Sequence, residues 1–180
     1  MPVLKYASVD DYILKIDKAL AGRDMDIARL SESILSLKKS GRTLFTIGNG
    51  GSLAVAQHFA QDLLKACGVK AICLNDPSVI TAYSNDLGFR YSSFEPLRLL
   101  SVPGDAAIIF SVSGMSRNYI EVFSDKKIPI FSVTGKDGGF VLSKSDVGIH
   151  IDSSDYQVCE TAFQIVCDIV CNNIMAVSDE

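Results

Sequence analysis

Between Thr43 and Cys67 the chain reads TLFTIGNGGSLAVAQHFAQDLLKAC, and this order of apolar run, glycine corner and helical stretch constrains the fold more than any other segment. Leu44, Phe45 and Ile47 have the character of a buried strand. Gly48-Asn49-Gly50-Gly51-Ser52 ends it with residues that tolerate positive φ. Ser52 stands where an N-cap belongs, and Ala54, Val55, Ala56, Phe59, Ala60, Leu63 and Leu64 carry the helix that follows. Such a corner offers unpaired backbone N–H groups and the positive end of a helix dipole, a setting for an anion and above all for phosphate. It lacks the Lys-Ser/Thr ending of a P-loop and the G-x-G-x-x-G spacing of a dinucleotide fold, so neither ATP nor NAD is indicated. Taken alone, a glycine corner is equally a plain strand-to-helix connection, and a second anion site is needed to decide.

That second site follows the third predicted strand, Ala106 to Phe110. Ser111-Val112-Ser113-Gly114-Met115-Ser116 precedes the helical run Asn118 to Ser124, so hydroxyls and fresh N–H groups again meet at a helix start. Other strands are expected at Val69 to Leu74, Ile128 to Val133 and Val147 to Ile151, with a third glycine loop at Thr134 to Gly139. Two helices, Val9 to Ala21 and Met25 to Lys39, precede the first strand, with Ile13, Ile16 and Leu20, then Ile27, Leu30, Ile34 and Leu37 at helical spacing. A short helix is expected at Val79 to Tyr83, another around Phe94 to Leu100 with Pro96 in its first turn, and a long one from Tyr156 to Val177, apolar nearly all round. Alternating strands and helices indicate an α/β three-layer sandwich with a five-stranded parallel sheet, preceded by an N-terminal helical pair. In such sheets ligands sit at the carboxyl ends of the strands, so the loops at 48–52, 111–116 and 134–139 should converge on one site.

At 180 residues and 48% hydrophobic content, the chain suits a single domain with a full core. Residues 1–42 would serve oligomerisation and 43–180 the α/β core. No apolar run is expected to reach the roughly 20 residues of a membrane span, and MPVLKYASVDDY shows no signal pattern, which points to the cytoplasm. A net charge of -4 argues against a broad nucleic-acid surface. The five cysteines, an odd number without C-x-x-C pairing, read as reduced and mostly buried thiols. His150, at a strand end, reads as a structural residue.

Four pieces in fixed order carry a family resemblance: Gly48 to Ser52 with Ala56-Gln57-His58-Phe59-Ala60, then Ser84-Asn85-Asp86-Leu87-Gly88-Phe89, then Ser111 to Ser116, then Val133 to Gly139. Over residues 10 to 175 the chain resembles sugar isomerase (SIS) domains and, within them, the phosphoheptose isomerases. The resemblance implies a flavodoxin-like fold, a homotetramer with sites at subunit interfaces, and a phosphorylated sugar as ligand. It implies phosphate held by Ser52, Ser111, Ser113 and Ser116 and the Gly50-Gly51 backbone, with Asn49 and Asp86 lining the sugar. The implied reaction interconverts sedoheptulose 7-phosphate and D-glycero-D-manno-heptose 7-phosphate through an enediol, with a base and an acid flanking C1 and C2.

In active relatives those roles fall to a Glu four residues after the motif His and to a His in the C-terminal helix. Here the positions are Asp62 and Cys167. The family's Gln earlier in that helix is Cys159, and the Thr of its Ser-Thr-Ser-Gly loop is Val112. Some relatives hold zinc at these four positions, which here become His58, Asp62, Cys159 and Cys167, a set of ligand types compatible with zinc. An alternative from another class is a non-catalytic SIS protein that binds a sugar phosphate or a protein, resembling the replication-initiator-associating regulator.

Overall fold

The computed structural model describes residues 8–178. Residues 1–7, which open the stretch inspected for a signal pattern, and residues 179–180 lie outside the described residues. The elements run α1 (Val9–Leu20), α2 (Asp24–Ser40), β1 (Thr43–Ile47), α3 (Gly50–Lys65), β2 (Lys70–Cys73), α4 (Pro77–Asp86), α5 (Phe94–Leu100), β3 (Ala106–Ser111), α6 (Arg117–Val122), β4 (Ile130–Thr134), α7 (Gly139–Lys144), β5 (Val147–His150) and α8 (Tyr156–Ser178). A single 3₁₀ turn, Phe89–Tyr91, links α4 to α5.

All five strands are parallel, in the order β2-β1-β3-β4-β5. The flavodoxin-like order follows from the chain reversing its direction of travel after β2, which makes the gap between β1 and β3 the switch point. β3 is buried on both faces, and its residues divide by strand alternation. Ala106, Ile108 and Phe110 join a core with α1, α2, α3 and α8. Ala107 and Ile109 join a second core with α5, α6 and α7.

Under the switch point, Phe110 meets Phe59 of α3 edge-on at 5.9 Å and Phe163 of α8 at 6.1 Å. Such pairs contribute about 0.5–1.5 kcal/mol each beyond their area. Thr46 adds a buried bond from its Oγ1 to the Ala56 carbonyl at 2.8 Å, fixing α3 onto β1.

Several expectations need correction. Asn49, not Ser52, is the N-cap of α3, because Gly50 at φ +55° lets the helix begin at once. Ile13 of α1 is exposed although it falls on the predicted stripe. α4 reaches Asp86, since Asp76 caps it through the Ser78 and Val79 N–H groups and Pro77 occupies its first position. α7 was not expected. α8 is buried on one side only, although apolar residues run nearly all round it: Val158, Cys159, Ala162, Phe163, Val166, Cys167, Val170, Cys171 and Ile174 are buried, while Thr161, Asp168, Ile169, Asn172 and Val177 face outward. By length and composition alone Tyr156–Val177 would suffice to span a membrane, contrary to expectation, but its apolar stripe is spent on the core.

At the amino ends of β1 and β3, Asp105 is 3% exposed and accepts from the Thr43 N–H at 2.9 Å and the Val102 N–H at 2.9 Å. Replacing it by Ala strands both amides. Asp105→Ala should lower unfolding free energy by about 3 kcal/mol, measured as a reduced urea midpoint at unchanged slope.

Candidate functional site

Two corners meet at the switch point and enclose a cleft of about 90 Å³, lined by Asn49, Ser52, Ser111, Val112, Ser113, Ser116, Tyr119, Tyr156 and Glu160. The first corner places the opening turn of α3 here, whose N–H groups have no partner within the helix. The second is held in shape by its own hydroxyls: Ser111 Oγ accepts from the Gly114 N–H at 3.0 Å and Ser113 Oγ from the Met115 N–H at 3.3 Å. Gly114 has φ +61° and lies so close to the Gly138 carbonyl that a side chain would collide with it. Ser116 caps α6 by position, with no side-chain bond of its own into the helix.

An amide pair ties the corners together. Asn49 Nδ2 donates to Asn118 Oδ1 at 3.0 Å, and Asn118 Nδ2 donates back to Asn49 Oδ1 at 3.1 Å and to Ser93 Oγ at 3.0 Å. Asn118 is 1% exposed, so this network is sheltered from water. α8 supplies the remaining wall. Glu160 Oε1 accepts from Ser52 Oγ at 3.1 Å, and its carboxylate rests where a side chain on Gly51 would be.

Of the residues expected to bind substrate, Asn49, Ser52, Ser111, Ser113 and Ser116 therefore line one cleft, whereas Gly50 and Gly51, in the first turn of α3, do not line it, Gly51 lying beneath the Glu160 carboxylate. Asp86 does not line it; it is exposed at the end of α4, where its Oδ1 accepts from Asn85 Nδ2. The third loop does not open into it either. Its Gly138 and Gly139 brace the second corner, the Val141 N–H donating to the Gly114 carbonyl at 3.0 Å. Lys136 and Asp137 line a separate open depression with Asp152, Ser153 and Ser154. The loop reaches the cleft wall only where Lys136 Nζ sits 4.9 Å above the Tyr156 ring. His150 Nε2 contacts the Lys136 carbonyl at 2.6 Å, a local tie within that loop.

Asn118, Tyr119 and Glu160 were not anticipated. Asn118 and Tyr119 directly follow the serine loop, and Glu160 directly follows Cys159, so a signal lay in their adjacency to expected positions.

Asp62 stands ten residues beyond Ser52 on α3, a rise of about 15 Å from the cleft. Its Oδ2 lies 3.2 Å from His58 Nε2, one helical turn back. Cys167 is 2% exposed. Burial first, then the charges of Cys171, Asp168 and Asp62, push its thiol well above the ordinary value. Cys159 is equally sequestered, its thiol donating to the Ser153 carbonyl at 3.2 Å and held up chiefly by burial.

His58, Asp62, Cys159 and Cys167 do not fit a single metal ion. Cys159 and Cys167 are eight residues apart on α8, a rise of about 12 Å, which two short thiol side chains with Zn–S bonds near 2.3 Å do not close. Among the described residues no three His, Cys, Asp or Glu side chains form a metal-holding group.

Comparison with known proteins agrees with this geometry. Residues 9–128 match the family model described as SIS domain. The chain is 34% identical over 175 residues to a phosphoheptose isomerase of Trichlorobacter lovleyi, covering 92% of this chain and 89% of that protein. It is 33% identical over 168 residues to one of Geobacter sulfurreducens, covering 86% and 87%. The solved structure of a phosphoheptose isomerase from Neisseria gonorrhoeae superposes with a TM-score of 0.86 at 26% identity, covering 93% of this chain and 94% of that one. The family match, the identity over most of the chain and the superposable fold lead to one conclusion: the chain belongs to the SIS domain family, in its phosphoheptose isomerase branch.

Proposed function

We propose that this protein is an aldose–ketose isomerase that interconverts sedoheptulose 7-phosphate and D-glycero-D-manno-heptose 7-phosphate in the cytoplasm. The observation that carries this reading is the cleft in which Ser52, Ser111, Ser113 and Ser116 gather at the start of α3. Hydroxyls and a helix N-terminus recognise a phosphate ester without needing a cation. The relatives named phosphoheptose isomerase support the choice of sugar.

The length of α3 supports it independently. A phosphate held at Ser52 leaves about 15 Å of helix before Asp62. An extended seven-carbon chain with its ester and the Asp62 side chain bridges that interval far better than a triose phosphate. Asp62 then serves as the base that moves a proton between C1 and C2 through an enediol. Cys167, in the position of the family's acid/base His, is confined by its raised pKa to the protonated form at neutral pH, so its chemistry there is donation, not abstraction. No step is assigned to a metal.

Assembly as a homotetramer is part of the same proposal. It is supported by α4, in which no residue is buried, and by Ile72, Leu87, Phe89, Leu99 and Leu100, all about half exposed or more. Five free thiols agree with a reducing compartment.

The burial of Cys167 favours a second reading, a SIS protein that binds a sugar phosphate without converting it. Incubation with sedoheptulose 7-phosphate, with aldose formation followed alongside calorimetric binding, separates the two. Turnover is expected; binding without turnover would favour the second reading, and neither would reject both. Asp62→Asn should lower kcat by at least about a hundredfold with the phosphate site intact, measured as unchanged affinity for the sugar phosphate. Because the thiol is held up by burial, Cys167→Ser should leave the shape of the rate profile between pH 6 and 9 unaltered; loss of a limb in that window would show that the thiol titrates during turnover.

A further inference from the structure

Tyr119 is 1% exposed and packs on α6 with Val122, Ile109 and Val141 in the second core, yet it also lines the cleft. Its hydroxyl is buried and finds no hydrogen-bond partner among the described residues. Burying a hydroxyl without a partner is costly, and phenylalanine would fill the same space free of that cost. An unpartnered polar atom of this kind needs an explanation, and its position offers one. The serine loop carries an apolar side chain in the same cleft, Val112 at 2% exposed. Val112 supplies no donor, and among the described residues Tyr119 is the one aromatic hydroxyl buried beside the serines, Tyr156 being half exposed.

We propose that the Tyr119 hydroxyl is a ligand of the phosphate group in this cleft, donating a hydrogen bond to one of its oxygens. The proposal rests on the phosphate-ester reading of the cleft. Burial, and after it the charge of Glu160, pushes the phenol far up, so the hydroxyl stays neutral and donates to an anion throughout the physiological range. Glu160 marks the same place from the other side. Its carboxylate already lies over Gly51 and accepts from Ser52, which shows that the start of α3 takes an oxyanion. Two anions do not share so small a space, so an entering phosphate displaces this carboxylate and takes over the Ser52 hydroxyl. The Tyr119 hydroxyl then gains the acceptor it lacks.

Calorimetry with inorganic phosphate and with sedoheptulose 7-phosphate, on wild type, Tyr119→Phe and the double variant Tyr119→Phe/Val112→Thr, tests this. Tyr119→Phe should bind both probes about tenfold more weakly, with the loss in turnover appearing in KM. Its melting temperature should be equal to or above that of wild type, since no bond is removed from the free protein. Val112→Thr, returning a hydroxyl to the loop, should restore part of the affinity in the double variant. Tyr119→Phe binding within twofold of wild type, or weakened binding with a lowered melting temperature and no recovery in the double variant, would overturn the assignment. Wild type that binds neither probe would overturn it together with the phosphate reading.

Discussion

β1 and β3 lie side by side, hydrogen-bonded from Leu44 beside Ala106 to Ile47 beside Ile109, and the site exists because of that adjacency. The chain leaves β1 for α3 on one face of the sheet and leaves β3 for α6 on the other. Their corners therefore part over a gap that neither layer of helices covers. The adjacency is secured at both ends by polar groups sheltered from water. Asp105 bridges the strands' entry points through two backbone amides, and the reciprocal Asn49–Asn118 pair joins their exits. Between those ends the apolar contacts of β3 on both faces leave no room for the strands to slip.

α8 turns this gap into a cleft. Its buried stripe docks against α3 and the sheet through Phe163 and its neighbours, and the register of that docking brings Glu160 onto the first turn of α3. The same register sets Cys167 near enough to Asp62 for the carboxylate to raise its pKa. One helix thus runs from Glu160 at the cleft to Cys167, about 10 Å further along its axis. Among the described residues no lysine or arginine lines the cleft. Recognition of an anion there falls to hydroxyls, amides and the helix dipole, which favour a group with several oxygens in fixed directions over a diffuse charge.

Much of the fold was legible before any coordinate. The strands lie within two residues of their expected bounds, because each is a short apolar run closed by Gly, Pro, Asn or Ser. The serine and glycine corners were legible for the same reason, since few residues tolerate those turns. Helix α7 was not: six residues starting at Gly139 carry too little periodicity to register. The cap of α3 was misplaced because a positive φ at Gly50 starts the helix three residues early, and a sequence records a glycine's freedom without recording its use.

The sequence by itself determined which backbone corners exist, in what order, and that their residues suit an anion. These depend on local sterics and periodicity, both written residue by residue. Only the tertiary structure decided that two corners rather than three open into one cleft, that Asp86 stands outside it, and that Asn118, Tyr119 and Glu160 face it. Each of these turns on the register of packed elements, where a rotation of α8 by one residue would aim a different set of side chains, and register is settled by the whole core at once.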